Sequence, residues 1–196
     1  GGGCPPGEAA AIQRCFAIDI ERTLLQDVEF GVRQLVDIAL KAISPAINDP
    51  RTAMNCIDYL GAILARAARR ADPPTHHADA GGALRLISHE LTFAGLLDRS
   101  FHQIRQYGAG DVAVTLRLVD TLFEIGEALG ALPSGHPRRA AVWYHACMIG
   151  RGARSLPEFH DRAEVERRLA ALAGLLGVDF DEELRISAAQ GARSIQ

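Results

Sequence analysis

The sequence predicts an all-α domain of about six helices, and three observations carry that prediction. Apolar residues recur at spacings of three and four in every long segment. No sustained period-two alternation occurs beyond Cys15, and Pro, Gly, Asn and Asp punctuate the chain at helix-sized intervals. Thr23 and Gln26 have the T-x-x-Q spacing of a capping box, with Asp27 as a competing N-cap, for a first helix that runs to about Ile43. Its core stripe is Val28, Val32, Leu35, Val36, Ala39 and Ile43. Ser44-Pro45 closes it, because the residue before proline is pushed out of the helical region.

Asp49 as N-cap and Pro50 at the first helical position open a second helix to about Arg70, burying Ala53, Ile57, Leu60, Leu64 and Ala67. Prolines bracket residues 44–49, which predicts a tight, largely buried connection. Residues 72–82 mix Pro, Gly and small polar residues without a period and read as a surface loop or mobile linker. A third helix spans about Thr92 to Tyr107, with Phe93, Leu96, Leu97, Phe101 and Ile104 inward, and ends at Gly108. A fourth runs from Asp111 to about Leu129 around Val112, Leu118, Leu122 and Ile125. Pro137 starts a fifth through Trp143 and Met148. An Asp161–Glu164 capping-box pattern launches a sixth through Leu169, Leu172 and Leu176 to Gly177.

At 196 residues, 48% hydrophobic and 23% charged, the chain suffices for one domain with a sizeable core. We divide it into residues 1–14, a cloning scar or linker; 15–177, a single helical domain; and 178–196, a C-terminal tail that frays. The Gly-Gly-Gly-Cys start without methionine is read as a scar or as an excised fragment lacking upstream sequence. A net charge of −3 provides no global field for nucleic acid, so no nucleic-acid partner is expected. No run approaches the roughly 20 apolar residues that span a bilayer. Cys4, Cys15, Cys56 and Cys147 form no C-x-x-C pair, which fits free thiols in a reducing cytosol.

The chemistry-bearing candidates lie between Arg22 and Tyr59. Arg33, Asp37 and Lys41, at i, i+4 and i+8, form one stripe with Gln34 beside it; Ser44, Asn48 and Asp49 lie at its end, and Arg22, Gln26 and Asp27 at its start. These ten residues make up the candidate polar site. As architecture, Asp27 and Asp49 cap helices and Asp37 bridges to a neighbouring helix. As function, the block is a polar pocket, an oligomer contact, or an acid–base pair drawn from Asp27, Asp37 and Asp49. Asp27, Asp37, Asn48 and Asp49 lack the compact loop of a calcium site, so no metal is expected. His76, His77 and His89 read as surface loop rather than a transition-metal site. His102, His145 and His160 fall in no zinc motif, and no G-x-S-x-G, Walker or dinucleotide fingerprint occurs. No cofactor and no catalytic residue are assigned. Arg66, Arg69 and Arg70 gather at the end of the second helix, where the helix dipole favours cations or lipid headgroups attract them. Arg138-Arg139 and Arg167-Arg168 read as solvated pairs on exposed helical faces.

Written as ERT-x-x-QD-x-x-FG-x-RQL-x-DIA-x-KA-x-SPAINDP-x-TA-x-x-CIDYL, this block resembles the soluble C-terminal part of the bacterial predicted membrane proteins known as domain of unknown function 2254. The likeness extends more weakly through FHQIRQY, covering about Cys15 to Leu129. Its motif positions here are Arg22, Gln26, Asp27, Phe30, Gly31, Arg33, Gln34, Leu35, Asp37, Ser44, Pro45, Asn48, Asp49 and Pro50; Val28 stands where many relatives have proline. The resemblance implies membrane helices upstream and a soluble domain at the cytoplasmic face of the inner membrane. It supplies no reaction. The leading reading is a non-catalytic assembly or regulatory domain that forms homo-oligomers and joins the membrane through a missing N-terminal segment. The alternatives are a sensor of a small polar ligand and an enzyme using the aspartates.

Overall fold

A computed structural model describes residues 27–89, 91–130 and 132–180, with four isolated positions, 7, 10, 11 and 13, before them. Arg22, Thr23 and Gln26 lie outside the described residues, as do most of 1–14 and all of 181–196. The described chain forms six helices: α1 (Val28–Ala42), α2 (Pro50–Ala68), α3 (Phe93–Tyr107), α4 (Val112–Leu129), α5 (Pro137–Ala153) and α6 (Phe159–Leu176). A two-stranded antiparallel hairpin, β1 (His76–Ala78) and β2 (Leu84–Ile87), stands between α2 and α3. The domain is therefore essentially all-α, as predicted.

Local chemistry sets most helix starts. Asp27, Asp49, Thr92 and Asp111 each accept a hydrogen bond from a backbone N–H three residues on, which satisfies one of the orphan donors of the first turn. His136 caps α5 through Nδ1 and is followed by Pro137 at the first position, where a missing N–H costs nothing. Gly177 ends α6 in the left-handed conformation, at φ +69°.

The helices close a circuit in which α1 packs on α2, α2 on α4, α4 on α6, α6 on α5, α5 on α3, and α3 on α1. Cross-contacts of α2 with α3 and α4 with α5 fill the middle. Ile57, Leu60, Leu97, Leu122, Ile125 and Leu172 are fully buried there. At the α2–α4 crossing, a Cβ on Gly61 would fall 2.3 Å from Thr121 Cγ2, so glycine sets the helix separation. Cys56 is buried in the core with a free thiol, and desolvation raises its pKa.

Five expectations need correction. Residues 72–82 do not form a plain loop, because Asp79 Oδ1 accepts from the N–H groups of Gly81 and Ala83 and fastens a hairpin turn. Val28 is 59% exposed rather than part of the core stripe, since it lies in the first turn of α1 and lines an open cleft there. The 44–49 connection is tight but not largely buried: residues 45–48 are exposed, as a two-helix corner leaves its outer side in water. The sixth helix starts a turn before the Asp161–Glu164 pattern, and Glu164 binds Arg167 and Arg168 instead of closing a box. Nor are the paired arginines simply solvated. Arg138 and Arg139 hold helix-end carbonyls and Arg168 bridges to Asp120, leaving only Arg167 largely exposed.

Candidate functional site

Asp27 sits at the head of α1, where its Oδ1 accepts from the Phe30 N–H at 3.0 Å. From there the helical period turns Arg33, Gln34, Asp37 and Lys41 to solvent while Val32, Val36 and Ala39 face the core. Arg33, Asp37 and Lys41 make no ion pair among the described residues. The stripe is a solvated ladder, and the expected bridge from Asp37 to a neighbouring helix is not formed.

Past the stripe, the Ser44 hydroxyl donates to the Lys41 carbonyl at 2.7 Å and caps the end of α1. Asn48 takes φ +50°, a left-handed conformation that asparagine tolerates, and its N–H donates to the Ser44 carbonyl at 2.8 Å. That bend lets the Asp49 N–H reach the Ala42 carbonyl at 2.8 Å. The Asp49 carboxylate then accepts from the Thr52 hydroxyl at 2.5 Å and the Thr52 N–H at 3.1 Å. The Thr52 hydroxyl, more than any other neighbour, lowers the Asp49 pKa.

Two clefts flank α1. A groove of about 400 Å³ between α1 and α3 has Val32 and Val36 among its walls and a rim of Glu29, Arg33, Asp37, Asp98, Arg99 and His102. A second, of about 440 Å³, lies where the start of α1 meets the end of α2 and the start of α3, with Asp27, Arg70, Asp72 and Phe93 in its walls. Arg33 and Asp37 thus share a cleft with each other, Asp27 lines the other, and Asp49 lines neither of the two. The three aspartates proposed for acid–base work occupy three different surroundings. Among the described residues no group of three His, Cys, Asp or Glu side chains is placed to hold a metal ion.

Sequence reasoning missed the other wall of the groove. Arg99 of α3 pairs with Glu29 of α1 across it. Asp98 lies 3.6 Å from His102 Nδ1 and 3.8 Å from His145 Nε2. Burial lowers the His145 pKa to about 4, outweighing the opposing pull of Asp98, so its ring is neutral near pH 7 and its approach to Asp98 is not a charged pair. The i, i+4 spacing of Asp98 and His102 was legible. The approach of His145 depends on how α3 and α5 pack, and nothing local signals it.

A family model described as "Predicted membrane protein (DUF2254)" matches residues 4–124, more than half the chain. The chain belongs to this DUF2254 family. The match takes in α1, α2, the hairpin, α3 and most of α4, hence both clefts along α1. Among its relatives are an uncharacterized protein of Mycobacterium tuberculosis, Rv1290c, and one of Mycobacterium bovis, Mb1321c. Each is 38% identical over 164 residues, 82% of this chain and 30% of the relative, so the chain spans less than a third of those proteins. No solved structure matches it. No helix among the described residues is long and apolar enough to cross a membrane.

Proposed function

We propose that the chain is a non-catalytic domain of a bacterial membrane protein, held at the cytoplasmic face of the inner membrane, where it acts in assembly or regulation. The observation that supports this reading most is the dispersal of the polar block. Asp27, Ser44 and Asp49 are occupied with helix ends, and Arg33, Gln34, Asp37 and Lys41 form a water-facing strip. Ile38, 48% exposed, lies on that strip, and Ile47, 57% exposed, follows in the turn beyond it. Such a mixed face suits contact with a second copy better than turnover of a substrate. Light scattering at high micromolar concentration tests it: we expect concentration-dependent self-association that Ile38→Asp abolishes. A monomeric mass throughout would sink the assembly role.

The α1–α3 groove favours a second reading, a sensor for a small polar ligand, because its rim alternates carboxylates with guanidinium and imidazole groups. Native mass spectrometry of the chain as purified from bacteria would reveal such a ligand, and Arg33→Ala should release it.

A further inference from the structure

Resting on that placement beside a membrane, we propose that the β1–β2 hairpin and the last turns of α2 form one docking surface for an anionic lipid bilayer. The hairpin carries three large apolar side chains in four residues, Leu84, Leu86 and Ile87, each between 53% and 58% exposed. It packs substantially on no helix of the described bundle. Isolated two-stranded hairpins are marginal in water, and apolar side chains clustered in the open mark a contact site. The hairpin is nonetheless braced, since Asp79 binds two turn N–H groups and the Arg85 side chain at the irregularity in the ladder. Its base, where the Ser88 N–H donates to the Thr75 carbonyl, follows the end of α2 after residues 69–74.

Beside that base, Arg66, Arg69 and Arg70 lie at i, i+3 and i+4, exposed on one face, around a shallow depression floored by Ala62 and Ala65. None of the three makes an ion pair among the described residues. The carboxylates described at this end are already engaged: Asp72 with Arg138 and the Phe93 N–H, Glu29 with Arg99, Asp79 with Arg85, and Asp27 as a helix cap. A chain of net charge −3 therefore presents here a locally positive surface beside an apolar projection. Phosphate headgroups satisfy the guanidinium groups, and the acyl boundary accepts the leucines. The cleft holding Arg70 also holds Asp27 and Val28, so the chain enters α1 at this same end.

Cosedimentation of the 196-residue chain with vesicles tests the proposal. We expect binding to phosphatidylcholine–phosphatidylglycerol vesicles, weak binding to phosphatidylcholine alone, and release by salt. Replacing Arg66, Arg69 and Arg70 together with Gln should lower the partition coefficient by about two orders of magnitude. Leu84→Ser with Leu86→Ser should also weaken binding while leaving helical circular dichroism unchanged, since neither side chain is in the core. Equal partitioning of the arginine variant and the parent, or no binding to either vesicle, would overturn the proposal. So would a leucine variant that loses only self-association measured without lipid. Fractionation of a full-length relative separates this from the wider reading: a membrane-resident relative whose isolated domain ignores vesicles defeats only the docking surface, whereas a relative absent from membranes defeats the placement itself.

Discussion

Arg138 closes the end of α2 from another helix. Its guanidinium donates to the carbonyls of Ala68 at 3.0 Å and Arg70 at 2.6 Å and to the Asp72 carboxylate at 2.8 Å, and lies 5.2 Å from the centre of the Phe93 ring. Only 12% of the side chain is exposed, and its bond to the Ala68 carbonyl is part-buried, where water cannot readily replace it. Asp37 is the opposite case, exposed and without an ion pair among the described residues. Arg138→Ala should therefore cost about 1–3 kcal/mol, since it leaves the helix-end carbonyls of α2 without their donor, while Asp72 keeps its bond from the Phe93 N–H. Asp37→Ala should stay within about 0.5 kcal/mol, reversing what a buried bridge would require. Urea denaturation of the two variants beside the parent decides the matter, and equal midpoints would refute this ranking.

Among the elements, the α2–α4 contact has the narrowest tolerance, because Gly61 faces the buried Thr121 methyl. Alanine favours a helix over glycine by up to about 1 kcal/mol, but the overlap should reverse that gain and leave Gly61→Ala destabilised by roughly 1–2 kcal/mol. Thr121→Ser removes the obstructing methyl, so the double variant should recover part of the loss; strictly additive costs in thermal melts would show that the crossing does not depend on this pair. The same scale shows what was legible beforehand. The starts at Asp27, Asp49, Thr92 and Asp111 were readable because a cap and its N–H lie three residues apart. The hairpin was not, since strands of three and four residues are too short to show a period and only the Asp79–Gly82 turn chemistry marks it. Arg138 and Arg139 looked solvated because their acceptors, around Ala68 and at Gly130 and Leu175, come from other elements, and no spacing rule joins them. Of the candidate site, the capping aspartates could be recognised from sequence. The opposite wall of the groove, supplied by α3, could not.

At the scale of the whole molecule, the helix circuit makes α5 a shared wall, packed on α3, α4 and α6, so an unfavourable protonation there is charged to the entire fold. His145 provides one. It is 3% exposed, its Nδ1 has no hydrogen-bond partner, and burial lowers its pKa from 6.5 to about 4, with Asp98 opposing the shift and Arg105 and His102 reinforcing it. Because the folded pKa lies below the unfolded one, the unfolded chain takes up the proton first as the solution is acidified. The stabilisation from neutral His145 is complete above pH 6.5 and is lost as the pH falls toward 4, by an amount on the order of 3 kcal/mol. Glu164 has its pKa lowered to about 2 by Arg167 and Arg168, so its contribution fades between about 4.5 and 2 and overlaps the histidine window only at its acid end. Denaturant midpoints measured from pH 7 to 4.5 should therefore fall for the parent chain and stay nearly level for His145→Leu. An NMR titration of the ring should have its midpoint near 4. A parent and variant that lose stability in parallel would place the acid sensitivity elsewhere in the bundle, and a ring titrating near 6.5 would mean that water reaches the α3–α5 interface.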